Sequence, residues 1–214
     1  MLFDLLNDTS KYQLDNLEDF DKFIFYHYTI FDDNKIEELI HLRSLIDLIN
    51  DKNSQLGKFL IENDVTVDIS NLTVKFRNEP PILLKSGADP VCINNLYQRL
   101  TNDYTISGFL IDDFWDYSSI SEYPEIIHTL NDVINKSFIT DIDLCEKWKS
   151  RNFSTYQIKC IAPVVSSNRL QLKKKNIIKA INNFTSLNKD YSDFLVTDID
   201  PKNIEILDIK KIST

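Results

Sequence analysis

The chain has β-type runs near both of its ends and helix-type segments between them. Residues 22–31, KFIFYHYTIF, alternate β-branched and aromatic side chains, which is typical of a strand. Residues 194–212 contain two further β-type runs, and the DPKN sequence at 200–203 predicts a turn that joins them as a hairpin. This arrangement excludes an all-helical bundle. It predicts an α+β fold with several amphipathic helices and an antiparallel sheet that includes the C-terminal hairpin.

The segments between these runs predict the individual helices. Apolar side chains at helical spacing predict one helix from Asn34 through Ile49 and a long one over 168–184. Asp89 is the expected cap of another helix, with Pro90 as its first residue. The other expected elements are helices over 54–63, 124–134 and 144–148, a hairpin over 65–76 and a strand over 153–163.

Composition predicts a single domain over 1–214. A chain of 214 residues is long enough to bury a sizeable core. We find no internal repeat and no low-complexity linker, and the proline-containing loop at 78–90 is the nearest feature to a domain boundary. No apolar run approaches the roughly 20 residues that cross a bilayer, and the acidic start does not resemble a secretory signal. We therefore expect a cytoplasmic protein.

The formal net charge of −9 is distributed unevenly along the chain. Counting Asp and Glu against Lys and Arg gives −8 for residues 1–64, −6 for 65–150 and +5 for 151–214. An acidic body argues against nucleic acid as the main partner and is compatible with a basic protein partner. Weak nucleic-acid contact would use the basic side chains of the predicted helix over 168–184, namely Arg169, Lys173, Lys175 and Lys179.

Several kinds of catalytic and cofactor site are excluded by residue spacing. The three glycines are each more than 20 positions apart, so no phosphate-binding glycine loop exists. The three cysteines and three histidines lack zinc-ligand spacing, and no serine has a GxSxG context. We therefore expect no cofactor and no local metal cluster. A Cys–His pair would be assembled by the fold rather than by the sequence, so spacing leaves that alternative open.

The segment at 107–119, SGFLIDDFWDYSS, concentrates carboxylates among large aromatic side chains. Its DDFWD core resembles the aspartate-rich motif of terpene and prenyl diphosphate synthases over five residues, which implies magnesium-diphosphate binding. That family is all-helical and needs a second acidic motif, which this chain lacks. The simpler interpretation places Leu110, Phe114 and Tyr117 inward and Asp112, Asp113 and Asp116 toward water.

A second acidic pattern lies in the last β-type run. Asp208 and Lys210 have the (D/E)xK spacing that resembles the motif of a large nuclease superfamily. The resemblance implies that Asp208 holds a metal with Asp198 or Asp200, while Lys210 orients the attacking water. Only four residues follow Lys210, whereas that fold continues with a helix and a strand. Alternation in a solvent-facing strand explains the same residues.

The sequence therefore favours a protein-binding function without catalysis. Aromatic side chains provide desolvated anchors and carboxylates attract a basic partner. We expect an inhibitory protein of the immunity or anti-defence kind, from a bacterial or phage setting. Its alternatives are a metal-dependent nuclease or nucleotide-processing enzyme and a viral assembly or scaffold protein. The expected partner-binding residues are Asp112, Asp113, Trp115, Asp116 and Tyr117.

Overall fold

The structure is a computed structural model that describes residues 2–4, 21–112, 122–164 and 195–212. Its strands are β1 Leu2–Phe3, β2 Lys22–Asp32, β3 Val65–Asp68, β4 Thr73–Phe76, β5 Ile82–Leu83, β6 Ile106–Phe109, β7 Phe153–Pro163, β8 Leu195–Ile199 and β9 Glu205–Ile212. Its α-helices are α1 Leu45–Asn50, α2 Gln55–Glu62, α3 Val91–Asn102, α4 Glu125–Phe138 and α5 Leu144–Lys149. Two 3-10 helices cover Asp33–Ile40 and Pro201–Asn203.

Among the described residues, six strands form one large sheet. Five of them follow the order β8-β6-β2-β7-β9 with antiparallel neighbours, and the short β1 lies parallel to β2. β2 and β7 pair along their full lengths, from Lys22 opposite Pro163 to Asp32 opposite Phe153. Their alternating apolar residues bury one continuous face, as a strand with period two allows. The predicted α+β class with an antiparallel sheet is confirmed.

The predicted pairing of the C-terminal hairpin is wrong, although both of its strands exist. β8 pairs with β6 and β9 pairs with β7, so the two strands lie at opposite ends of the strand order. Asp200 caps the connecting 3-10 turn by accepting a hydrogen bond from the Lys202 N–H at 3.0 Å. A turn composition identifies a change of chain direction. It does not select the partner strand, which here depends on burial of Val196 and Ile199 in the sheet core.

The predicted helix from Asn34 through Ile49 is also wrong in its continuity. The segment divides into the 3-10 helix Asp33–Ile40 and the separate helix α1. The Ser44 hydroxyl accepts a hydrogen bond from the Asp47 N–H at 3.2 Å, which begins a new helix inside the predicted one. Asp32 rather than Asn34 caps the first turn. Side chains that bond nearby backbone groups therefore override the apolar spacing.

The remaining predicted elements in the described ranges are confirmed. α2, α3, α4, α5, the β3-β4 hairpin and β7 all form where the sequence predicts them. One cap differs from the prediction: Pro90 rather than Asp89 is the N-cap residue, and helix α3 begins at Val91. The predicted helix over 168–184, with Arg169, Lys173, Lys175 and Lys179, lies outside the described residues.

The described residues bury two hydrophobic cores. The first lies on one face of the large sheet and includes Phe23, Phe25 and Ile158. The second joins the α-helices to the small β3-β4-β5 sheet and includes Phe59 and Trp148. The loop at 78–90 contains β5 and packs into this second core, so it is not a free linker. Whether the chain folds as a single domain stays a prediction.

The helices of the described part are short, and the longest of them, α4, has 14 residues. None of them is both long enough and apolar enough to span a membrane.

The residue after helix α4 allows a test of backbone strain. Ile139 has a φ of 52° and is 95% exposed, so its side chain gains little from burial. A β-branched residue is strained in this left-handed region, whereas glycine is not. We expect Ile139→Gly to raise the free energy of unfolding by about 1 kcal/mol in urea denaturation. Ile139→Ala keeps a Cβ and serves as the control. Equal stability of the two variants would show that strain is not the cause.

Candidate functional site

The acidic and aromatic segment at 107–119 begins in strand β6, which lies between β8 and β2 in the large sheet. It leaves strand β6, and the following Leu110 and Ile111 are buried in the sheet core, as predicted for Leu110. Asp112 is partly buried. The other four predicted partner-binding residues, Asp113, Trp115, Asp116 and Tyr117, lie outside the described residues. Their proposed role therefore stays a prediction.

The backbone of Asp112 is held by two side chains that project from neighbouring strands. The Tyr28 hydroxyl donates to the Asp112 carbonyl at 3.1 Å, and the Gln157 amide donates to the same oxygen at 2.9 Å. Gln157 also donates to the Tyr28 hydroxyl at 2.8 Å, since the two residues are cross-strand partners in the β2-β7 register. The start of the segment is thus fixed to the sheet by a satisfied hydrogen-bond network.

The acidic character extends beyond the segment at 107–119 in both directions along the chain. Residues 100–127 contain six carboxylates and no lysine, arginine or histidine. The fold adds two basic residues from neighbouring helices. Arg99 of α3 binds Asp103 at 3.1 Å and also Glu125, while Lys149 of α5 binds Glu122 at 2.7 Å. The described carboxylates of this stretch are therefore largely paired.

Lys149 is shared between two carboxylates. It also binds Glu146 at 3.1 Å, and its pKa is raised because the carboxylates of Glu122 and Glu146 accept hydrogen bonds from it. Two basic groups, Arg99 and Lys149, thus face four carboxylates from Asp103, Glu122, Glu125 and Glu146. Exposed pairs of this kind contribute little stability. Within these two clusters the carboxylates outnumber the basic groups by two.

A cavity of about 770 Å³ lies beside the same region, between the large sheet and the helices. Its walls come from β2, the first 3-10 helix, α1 and α2, and from residues near the start of β6. Most of the side chains that line it are apolar, and Tyr123 and Pro124 reach it from the end of the acidic stretch. Cavities of this size and character are where proteins bind small molecules. The sequence did not predict this cavity.

The alternative metal site around Asp208 is not assembled by the described residues. Asp208 and Lys210 are exposed on β9, while Asp198 belongs to β8 at the other end of the strand order. Within the ranges that the structure describes, no group of three or more histidine, cysteine, aspartate or glutamate side chains could hold a metal ion. The (D/E)xK spacing here is that of an edge strand facing solvent.

The three cysteines are buried free thiols. Burial raises the pKa of Cys92, of Cys145 and of Cys160, the last to about 12. The thiolate is the nucleophilic form, so a raised pKa makes each of them unreactive near neutral pH. A cysteine nucleophile is therefore not supported.

A further cluster of charged and polar groups connects the first 3-10 helix to the sheet. Asp33 accepts hydrogen bonds from Lys211 of β9 and from the Tyr156 hydroxyl, the latter at 2.7 Å. These bonds, with Lys211 the strongest cause, lower the pKa of Asp33 to about 2. Burial, followed by the hydrogen bond to Asp33, raises the pKa of Tyr156 to about 12. Asp33, Tyr156 and Lys211 thus satisfy one another's hydrogen bonds, and the cluster holds the first 3-10 helix against the sheet.

Sequence reasoning missed the residues that the fold brings together. Tyr28 and Gln157 are 129 positions apart, and their pairing follows only from the β2-β7 register. The alternation of β2 was visible in the sequence, but the register that aligns it with β7 was not.

Comparison of the chain with family models, with curated proteins and with solved structures finds no match.

Proposed function

We propose that this protein is a cytoplasmic binding protein, without catalytic activity, that inhibits a basic protein partner in the manner of an immunity or anti-defence protein. The expected binding residues are Asp112, Asp113, Trp115, Asp116 and Tyr117. The observation that carries the proposal is the anchoring of Asp112 to the sheet by Tyr28 and Gln157, within the stretch 100–127 that has six carboxylates and no basic residue.

The physical reason is that Asp112, which is the first carboxylate of the segment at 107–119, is held in place against the sheet. A residue that is already held in place loses less conformational entropy on binding than a free residue does. Carboxylates attract a positively charged partner and speed its association, while aromatic side chains such as Trp115 and Tyr117 provide buried contact area. Three buried free thiols agree with a reducing compartment.

The proposal is tested by removing the charge of the segment without changing its size. We expect the triple variant Asp112→Asn, Asp113→Asn, Asp116→Asn to capture at least about tenfold less of its partner from the native cell extract. The wild-type interaction is expected to weaken steeply between low and high salt, because exposed charges are screened. The captured partner is expected to have a basic isoelectric point.

A matched control changes three exposed carboxylates elsewhere. The variant Glu79→Gln, Asp141→Asn, Glu205→Gln alters the net charge by the same amount at positions that are exposed in the structure. It is expected to keep the wild-type capture. If both triple variants bind the partner as the wild type does, with the same salt dependence, the segment is not the binding surface and a scaffold role becomes the better explanation.

A further inference from the structure

Strand β9 lies at one end of the large sheet, and one of its two edges is open. It pairs with β7 on one side, and the structure describes no strand on its other side. Every second residue of such a strand directs its backbone N–H and C=O away from the sheet, where a further strand can pair with them. Proteins often block an open edge with charged side chains, and β9 has four of these. Their arrangement decides whether the edge is blocked or can pair.

The four charged side chains of β9 cancel one another. Two are acidic and two are basic, in a chain whose formal net charge is −9. Two copies of an acidic protein repel each other, and the repulsion is smallest where the local charge is zero. The strand also carries an apolar side chain, Leu207, that is 44% exposed. β9 is therefore an edge that a second copy of the chain can approach.

Asp208 and Lys210 are exposed on the same face of β9. Asp208 lies opposite Lys159, and Lys210 lies opposite Gln157, which is two positions away from Lys159 on β7. Neither Asp208 nor Lys210 forms an ion pair with another described residue. Both charges are thus available to a second strand.

The order of these charges favours one register of self-pairing. In an antiparallel pair of identical strands a two-fold axis relates the copies, and directly opposite side chains share a face. With the axis at Asp208 two aspartates face each other, and with the axis at Lys210 two lysines do. With the axis at Ile209, Asp208 of each copy faces Lys210 of the other copy. Opposite charges stabilise a strand pair and like charges destabilise it, so the register centred on Ile209 is favoured.

We propose that the protein forms a symmetric dimer in which residues 207–211 of β9 pair antiparallel with the same residues of a second copy, with two Asp208–Lys210 ion pairs between the copies. The pairing ends at Leu207, where the register of β9 against β7 shifts. A contact of five residues per copy buries less than the roughly 1,200 Å² of a standard interface, so we expect a dissociation constant on the order of 100 μM. This surface is independent of the proposed function, because it uses no residue of the segment at 107–119.

Charge-swap variants of the full chain test the dimer by sedimentation equilibrium. Asp208→Lys and Lys210→Asp each place like charges opposite each other in this register, and each is expected to raise the dissociation constant at least about tenfold. An equimolar mixture of the two variants is expected to restore the wild-type value, because each introduced charge then faces an opposite charge in the other variant.

Matched controls make the same charge changes outside the paired residues. Glu205 and Lys202 are also exposed, so Glu205→Lys and Lys202→Asp alter the net charge without altering the pairing. The dissociation constant of each control is expected to stay within about threefold of the wild-type value, since distant exposed charges are screened. In the wild type, amide hydrogen exchange at 207–211 is expected to slow as the protein concentration rises through the dissociation constant.

Four results would overturn the proposal. The first is a wild-type protein that stays monomeric at roughly 1 mM, which would mean that the charges of β9 block its edge. The second is a mixture of the two charge-swap variants that dissociates as readily as each variant alone. The third is a dimer in which exchange at 207–211 does not depend on concentration, and the fourth is growth beyond the dimer, which would indicate pairing of β9 with the other end strand, β8.

Discussion

Replacing Gly108 with alanine is expected to lower the free energy of unfolding by about 2–3 kcal/mol, measured by urea denaturation. A Cβ atom at this position of β6 would lie 2.5 Å from Phe25 Cδ2 and 2.6 Å from the Tyr26 carbonyl oxygen. Phe25 is fully buried in the sheet core, and the backbone at Tyr26 is held in the long β2-β7 ladder. Neither neighbour can move without disturbing the centre of the sheet, so the added methyl group displaces β6 instead.

The neighbouring residue provides the control for Gly108. Ser107 lies on the same strand with an exposed side chain, and its carbonyl, which bonds His27, is retained in Ser107→Ala. This variant is expected to change stability by no more than about 0.5 kcal/mol. A Gly108→Ala variant that loses less than about 1 kcal/mol would mean that β6 is packed more loosely against Phe25 than the structure shows.

Replacing Gly57 with alanine is expected to destabilise the protein by about 2–3 kcal/mol, against the prediction from helix propensity. Propensity alone would make alanine better than glycine by about 1 kcal/mol inside a helix such as α2. The structure reverses the sign, because the new Cβ would lie 2.2 Å from the Asp51 carbonyl oxygen. The other near atoms, at 3.0 and 3.1 Å, are also backbone, so no flexible side chain can yield. The measurement is again the free energy of unfolding in urea.

Lys58 is the matched control for Gly57. It is exposed on the same helix, so Lys58→Ala tests the propensity effect without a clash. Its stability is expected to remain within about 0.5 kcal/mol of the wild type. If Gly57→Ala proved as stable as the wild type, the turn that contains Asp51 would have to accommodate a side chain, and the close approach would not be a requirement of the fold.

The elements that sequence reasoning predicted correctly are those whose signals are local. Helix α2 follows a serine cap, the β3-β4 hairpin has a turn in which Asp68 accepts from the Asn71 N–H at 2.9 Å, and α4 has an apolar stripe. Each signal lies within a few residues of the structure that it specifies. The break in the first predicted helix also has a local cause, since the Ser44 hydroxyl accepts from the Asp47 N–H and begins a new helix there.

The features that sequence reasoning could not predict join distant parts of the chain. The pairing of β8 with β6 and of β9 with β7 depends on which apolar faces are buried together. For the candidate site, the acidic residues of 107–119 were identified, but their attachment through Tyr28 and Gln157 was not. The cavity was missed because its walls come from elements that are distant in the sequence.

The sequence by itself determined the fold class, most of the described helices and strands, and the acidic character of the stretch around Asp112. These properties follow from periodicity, caps and charge, which act over short distances along the chain. Only the tertiary structure decided the order of the strands, the tight contacts of Gly57 and Gly108, and the cavity between the large sheet and the helices. Such contacts depend on register and on the packing of both faces of an element, and a one-residue shift would separate them.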